Sequence, residues 1–142
     1  MYIKRLTSRW AAGLLFFLVA FQSSGRADDR PAIVSLVALI ANPQAYAAQK
    51  VLVAGFCGLE FEGTAVYLHE EDYRRSMTPN SIWLDVEPTR PDKPNPIHER
   101  YCVIEALFNA KPARNGRAGR LVQVTRLELL PSRAELAAEL KE

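Results

Sequence analysis

Few residues in this chain have the types and spacing that chemistry needs, and most of them are basic or aromatic. Lys111, Arg114, Arg117, Arg120 and Arg126 follow one another with no acidic residue anywhere between Ala106 and Leu127. Positive charge concentrated in this way can receive an anionic ligand. It is equally what a solvated turn looks like, and Gly116 and Gly119 suggest a mobile one. Tyr67 and Trp83 lie in two separate runs of β-forming residues. An exposed Tyr and Trp on neighbouring strands can stack a base, a sugar or a peptide side chain. The alternative places Trp83 under the Glu70–Arg75 turn or under an N-terminal helix, since large aromatics are usually well covered.

The remaining candidates have ordinary explanations. His69-Glu70-Glu71-Asp72 suggests a metal, but zinc needs further His or Cys ligands, and the only other histidine is His98. Acidic residues followed by Arg74 and Arg75 fit a short helix whose charges complement its dipole. Ser76, Ser81 and Ser132 sit in turn or cap contexts, and no Gly-x-Ser-x-Gly elbow surrounds any of them. Glu60 and Glu62 flank a hairpin, where solvated charges are common. We therefore expect no catalytic residues, no metal and no cofactor, and read the chain as a binding protein rather than an enzyme.

Residues 1–27 read as a signal peptide. Lys4, Arg5 and Arg9 precede the apolar run Ala11 to Phe21, and Gly25-Arg26-Ala27 supplies small residues for cleavage before Asp28. The run falls well short of the roughly 20 residues a membrane-spanning helix needs. An uncleaved anchor is the alternative; with cleavage, no stable membrane span remains. Residues 28–142 form one domain on this reading, in the periplasm or secreted. All 16 acidic residues but only 14 of the 18 Lys and Arg follow Ala27, so the mature chain carries −2 where the whole sequence carries +2. A general polyanion binder is expected to be basic, so the balance argues against nucleic acid.

These residues must be positioned by short elements. Ile33, Leu36, Val37 and Ile40 have helical spacing, Ser35 can cap a shorter helix, and Pro43 ends it. A second short turn follows from Pro43 to Tyr46. Lys50–Cys57 alternates strictly, with Val51, Val53, Gly55 and Cys57 on the inward side. Thr64–Leu68, Ile82–Val86, Tyr101–Phe108 and Leu121–Leu129 supply four more strands, separated by a Gly-bounded hairpin, a short helix at His69–Arg75, a four-proline loop and the basic loop. If Val66, Leu68, Ile82, Leu84 and Val86 face inward, Tyr67, His69, Trp83 and Asp85 face outward. Ser132 to Glu135 has capping-box spacing for a tail helix carrying Leu136 and Leu140.

Five strands with this long third-to-fourth connection fit a mainly β fold: a five-stranded Greek-key OB-type barrel with an N-terminal helix and short peripheral helices. The chain also resembles small exported bacterial OB-fold proteins. The likeness lies in Leu36, Leu39, Asn42-Pro43, Tyr46, Lys50-Val51, Val53 and Gly55-Phe56, then in Tyr67-Leu68, Glu71-Asp72, Ile82-Trp83-Leu84-Asp85 and Gly119 with Val124 to Leu127. It covers most of the mature chain and names no ligand. It departs in the third-to-fourth connection, where OB folds often place a helix and this chain has prolines, so the N-terminal helix is expected to plug the barrel.

In such a barrel the first and fourth strands pair antiparallel, which brings Cys57 near Cys102. We expect a disulfide there, buried free thiols being the alternative. The basic loop becomes the fourth-to-fifth loop, one of two flanking the binding face. The expected ligand-binding residues are thus Tyr67, Trp83, Lys111, Arg114, Arg117 and Arg120. The expected partner is a small anionic ligand or an unknown envelope protein. A structural or assembly accessory of the envelope is the second reading, and single-stranded nucleic-acid binding the third.

Overall fold

The computed structural model describes residues 30–133 and Glu135. The expected leader, and Leu136 and Leu140 of the expected tail helix, lie outside the described residues. Among the described residues, six strands and two short α-helices follow in the order β1 (Ala32–Ile33), α1 (Leu36–Ala41), β2 (Lys50–Gly58), β3 (Ala65–Tyr67), α2 (Glu70–Arg74), β4 (Ser81–Leu84), β5 (Arg100–Asn109) and β6 (Arg120–Leu129).

Strand β2 is the hub. All of it but Gly58 pairs antiparallel with β5, from Lys50 opposite Leu107 to Cys57 opposite Arg100. Its other edge is shared: β1 runs parallel to it beside Val51 and Leu52, and β3 antiparallel beside Phe56 to Gly58. β3 pairs antiparallel with β4, β4 parallel with β6, and β6 antiparallel with β5. The order β2-β3-β4-β6-β5 thus closes on itself through β2–β5, giving the mixed five-stranded OB-type barrel with β1 added outside it. Between Glu105 and Leu107 the β5–β6 register slips, so that Gln123, Val124 and Thr125 oppose Ala106 alone. Gln123 takes a positive φ of 49° there, as a bulge that bends a closing strand does.

Alternation places the core. Val51, Val53 and Cys57 of β2, Val66 of β3, Ile82 and Leu84 of β4, and Cys102, Ile104 and Phe108 of β5 are all buried in one cluster. Leu68 and Val86 pack against it. Gly55 faces inward where no side chain fits: a Cβ would lie 2.7 Å from the Tyr67 carbonyl oxygen and 3.3 Å from Cδ2 of Leu36. That gap lets α1 settle on the barrel, with Leu36 and Leu39 buried in the core. The Ser35 hydroxyl accepts the Ala38 N–H at 3.1 Å, and Pro43 opens a 3₁₀ turn to Tyr46.

The helical face differs from the expected one. Ile33 is in β1 and 86 % exposed, and Val37 is 60 % exposed. The helix begins only after its Ser35 cap, so two turns never form and the buried positions are Leu36 and Leu39. The β3 and β4 strands are also shorter than expected, ending at Tyr67 and Leu84.

Cys57 and Cys102 form a disulfide with Cα atoms 6.1 Å apart and a sequence separation of 45. They are diagonal neighbours on β2 and β5, since Cys102 is opposite Gly55. Loop-closure entropy gives such a bridge about 4 kcal/mol. No helix among the described residues is long and apolar enough to cross a membrane, and a buried disulfide fits an oxidising compartment.

Candidate functional site

Trp83 lies between Ile82 and Leu84, which point into the barrel, so its own side chain points out. It pairs with Ala65 on β3 and Arg120 on β6. Beside it the 110–119 segment folds back onto β4. Asn115 (φ 61°) and Gly116 (φ 77°) are two successive left-handed residues that reverse the chain, and the second suits glycine. The Ala113 N–H then donates to the Arg117 carbonyl at 3.0 Å, and the Trp83 N–H donates to that of Gly119 at 3.1 Å. A Cβ on Gly119 would lie 2.7 Å from both the Asn109 carbonyl oxygen and Cζ of Phe108. Gly119 is therefore required by close approach, and Ala113 and Arg117 of the same segment are buried while Lys111, Arg114 and Gly116 are exposed.

Arg117 is the reason for this packing. It is only 3 % exposed. Its Nε donates to Ser81 Oγ at 3.1 Å, its Nη2 to the Tyr67 hydroxyl at 3.2 Å and its Nη1 to the Arg114 carbonyl at 3.4 Å. Its Cζ is 5.5 Å from the centre of the Trp83 ring, and that of Arg120 is 5.9 Å away. Among the described residues no carboxylate pairs with Arg117. Its charge is held instead by three oxygens and an aromatic face.

Tyr67 faces out from the barrel but is only 5 % exposed, which corrects the expectation of an open Tyr67/Trp83 pair. Tyr73 of α2 lies over it with ring centres 5.5 Å apart, and over Phe56 at 5.5 Å. The Tyr73 hydroxyl is within hydrogen-bonding distance of two carboxylates, Glu60 at 2.8 Å and Glu99 at 3.2 Å. Burial, then Glu60 and Glu99, push its pKa up. The acidic run before it is engaged locally. The His69 N–H donates to Asp72 Oδ2, and Glu70 and Glu71 pair with Arg74 and Arg75 one turn on. Among the described residues no group of three or more His, Cys, Asp or Glu is placed to hold a metal.

The six expected ligand-binding residues are thus divided. Tyr67 and Arg117 belong to the buried network, and Arg120 lies against Trp83. Lys111 is exposed and lines a separate apolar cleft of about 430 Å³ with Ala48, Leu107, Phe108 and Val122. Trp83 and Arg114 come together with Phe61, Glu62 and Asn115 around an open cleft of about 470 Å³. The cleft forms where the β2–β3 loop meets the β5–β6 segment. Phe61 is 78 % exposed, and with Glu62 and Asn115 it was not among the residues expected from sequence. The available signal was a large apolar residue at a hairpin tip between two glutamates.

A small barrel with two loops meeting over one tryptophan is the class that fold and site define. No known protein family, curated protein or solved structure matches this chain.

Proposed function

We propose that this protein is an exported binding module, not an enzyme, which takes a small anionic ligand at the Trp83 cleft. The observation that carries the proposal is the convergence of Trp83, Phe61 and Arg114 on one cleft of small-molecule size. The rings cover an apolar or planar body, and the Arg114 guanidinium, which has no ion-pair partner among the described residues, takes the anionic group. The resemblance to small exported OB-fold proteins, the leader-like residues 1–27 and the disulfide support a periplasmic or secreted location.

Trp83 reports on its own site, because the only other tryptophan, Trp10, precedes Asp28. Ring compounds with and without a carboxylate are titrated against its emission in the form beginning at Asp28. Saturable changes by the anionic members alone, weakened by salt and by Arg114→Gln, are the expected result. Changes that ignore charge, or none with any member, would remove the reading.

The second reading, an accessory protein docked to an envelope partner, is favoured by one observation. Ile33, Val37, Leu52, Ala54 and Val103 line a shallow apolar groove of about 520 Å³ on the outside of the barrel. Docking there would resist salt, unlike capture of an anion by Arg114.

A further inference from the structure

The Trp83 cleft carries two opposite charges that do not meet. Glu62 and Arg114 both line it, both are exposed, and neither forms an ion pair with the other or with any described residue. Several other surface charges are engaged: Glu60 accepts the Tyr73 hydroxyl, Glu70 pairs with Arg74 and Glu87 with Lys93. We infer that the ligand is a zwitterion with an apolar side chain, an amino acid or short peptide with free ends. Its carboxylate meets Arg114, its ammonium meets Glu62 and its side chain lies against Phe61 and Trp83.

This rests on the proposed binding reading and adds to it a demand for positive charge on the ligand. The geometry explains why both charges are left open. Glu62 is on the β2–β3 loop and Arg114 on the β5–β6 segment, so the two walls of the cleft supply one charge each. A simple anion would satisfy Arg114 and leave Glu62 facing it with like charge. A ligand bearing both charges satisfies each wall, and the Asn115 side-chain amide on the rim has both donor and acceptor capacity for a backbone amide. The cleft lies at the small end of the range for ligand pockets, which suits one to three residues rather than a long peptide.

The test compares phenylalanine and alanyl-phenylalanine with their N-acetylated forms, which are anions, and with their C-terminal amides, which are cations. Affinity is read by calorimetry and by Trp83 emission. A charged hydrogen bond is worth roughly 1.5–3 kcal/mol, so each free end contributes about tenfold or more in affinity. The zwitterions are expected to bind at least about tenfold more tightly than either blocked form. Glu62→Gln is expected to bring zwitterion affinity down to that of the N-acetylated anion while leaving the anion unaffected or tighter. Equal affinity for the free and N-acetylated forms, with no effect of Glu62→Gln, would overturn the inference and leave the anion-binding function standing. Binding by none of the six compounds would overturn the inference, and silence across the wider anion panel would then remove the binding function as well.

Discussion

Replacing Arg117 separates a structural cation from a ligand-binding one. The structure gives it three oxygen acceptors, on Ser81, Tyr67 and the Arg114 backbone, and the face of Trp83. Hydrogen bonds from a charged donor contribute about 1.5–3 kcal/mol each before desolvation, and a cation over an aromatic ring about 0.5–2 kcal/mol. Burying a guanidinium costs several kcal/mol. The net loss for Arg117→Ala, including the stranded Tyr67 hydroxyl, is therefore about 3 kcal/mol. With a urea m-value of about 1–3 kcal/mol per molar, the unfolding midpoint followed by Trp83 emission falls by about 1–3 M. Arg117→Lys loses nearly as much despite keeping the charge, because an ammonium has no planar fork to reach all three acceptors. Arg117→Met loses less, since it removes the buried charge and retains an apolar stem over Trp83. A cycle with Tyr67→Phe should show coupling of about 0.5–3 kcal/mol. An unchanged midpoint in Arg117→Ala, accompanied by lost affinity for ring anions, would refute this reasoning and return Arg117 to the ligand-binding set.

Reduction of the Cys57–Cys102 bridge, or its replacement by Cys57→Ala/Cys102→Ala, is expected to lower stability by about 4 kcal/mol in denaturant titrations; two alkylatable thiols in the native protein would dismiss the bridge. The raised Tyr73 pKa predicts a loss of stability at alkaline pH. The unfolded phenol ionises near pH 10, while burial, together with Glu60 and Glu99, keeps the folded one protonated. Stability from this group is therefore fully present below about pH 10 and is lost as the pH rises above it. Tyr73→Phe should flatten that limb, and an unaltered limb would show that neither burial nor the carboxylates hold the Tyr73 proton.

The barrel is legible in the sequence because burial on one face writes itself as alternation. Val51-x-Val53-x-Gly55-x-Cys57 and Cys102-x-Ile104-x-Ala106-x-Phe108 each fix a strand and its inward side, and the disulfide follows once the two are paired. The α1 boundary is legible through Ser35 and Pro43, whose effects are local. The β1 strand is not: its two residues, Ala32 and Ile33, are both exposed, and their pairing with β2 is a backbone matter that no side-chain pattern records. Burial of Arg117 is equally invisible, because a basic residue among basic residues looks solvated until Ser81 and Tyr67 are placed beside it. The covering of Tyr67 depends on Tyr73, whose helix reads in sequence only as a charged turn.

Those two hidden features decide where a ligand can go. Tyr73 closes the half of the outer β2–β3 face that carries Phe56 and Tyr67. Gly58 makes room for it, since a Cβ there would lie 2.7 Å from the Tyr73 ring. Arg117 closes the edge between Tyr67 and Trp83. What remains open is the rim where Phe61 and Glu62 face Arg114 and Asn115 across Trp83. Single-stranded nucleic acid needs successive aromatic platforms for successive bases along a basic groove. On this face the second platform, Tyr67, is already covered by the edge of Tyr73 from the protein's own helix. The same packing that narrows the site therefore argues for a short ligand and against a polymeric one.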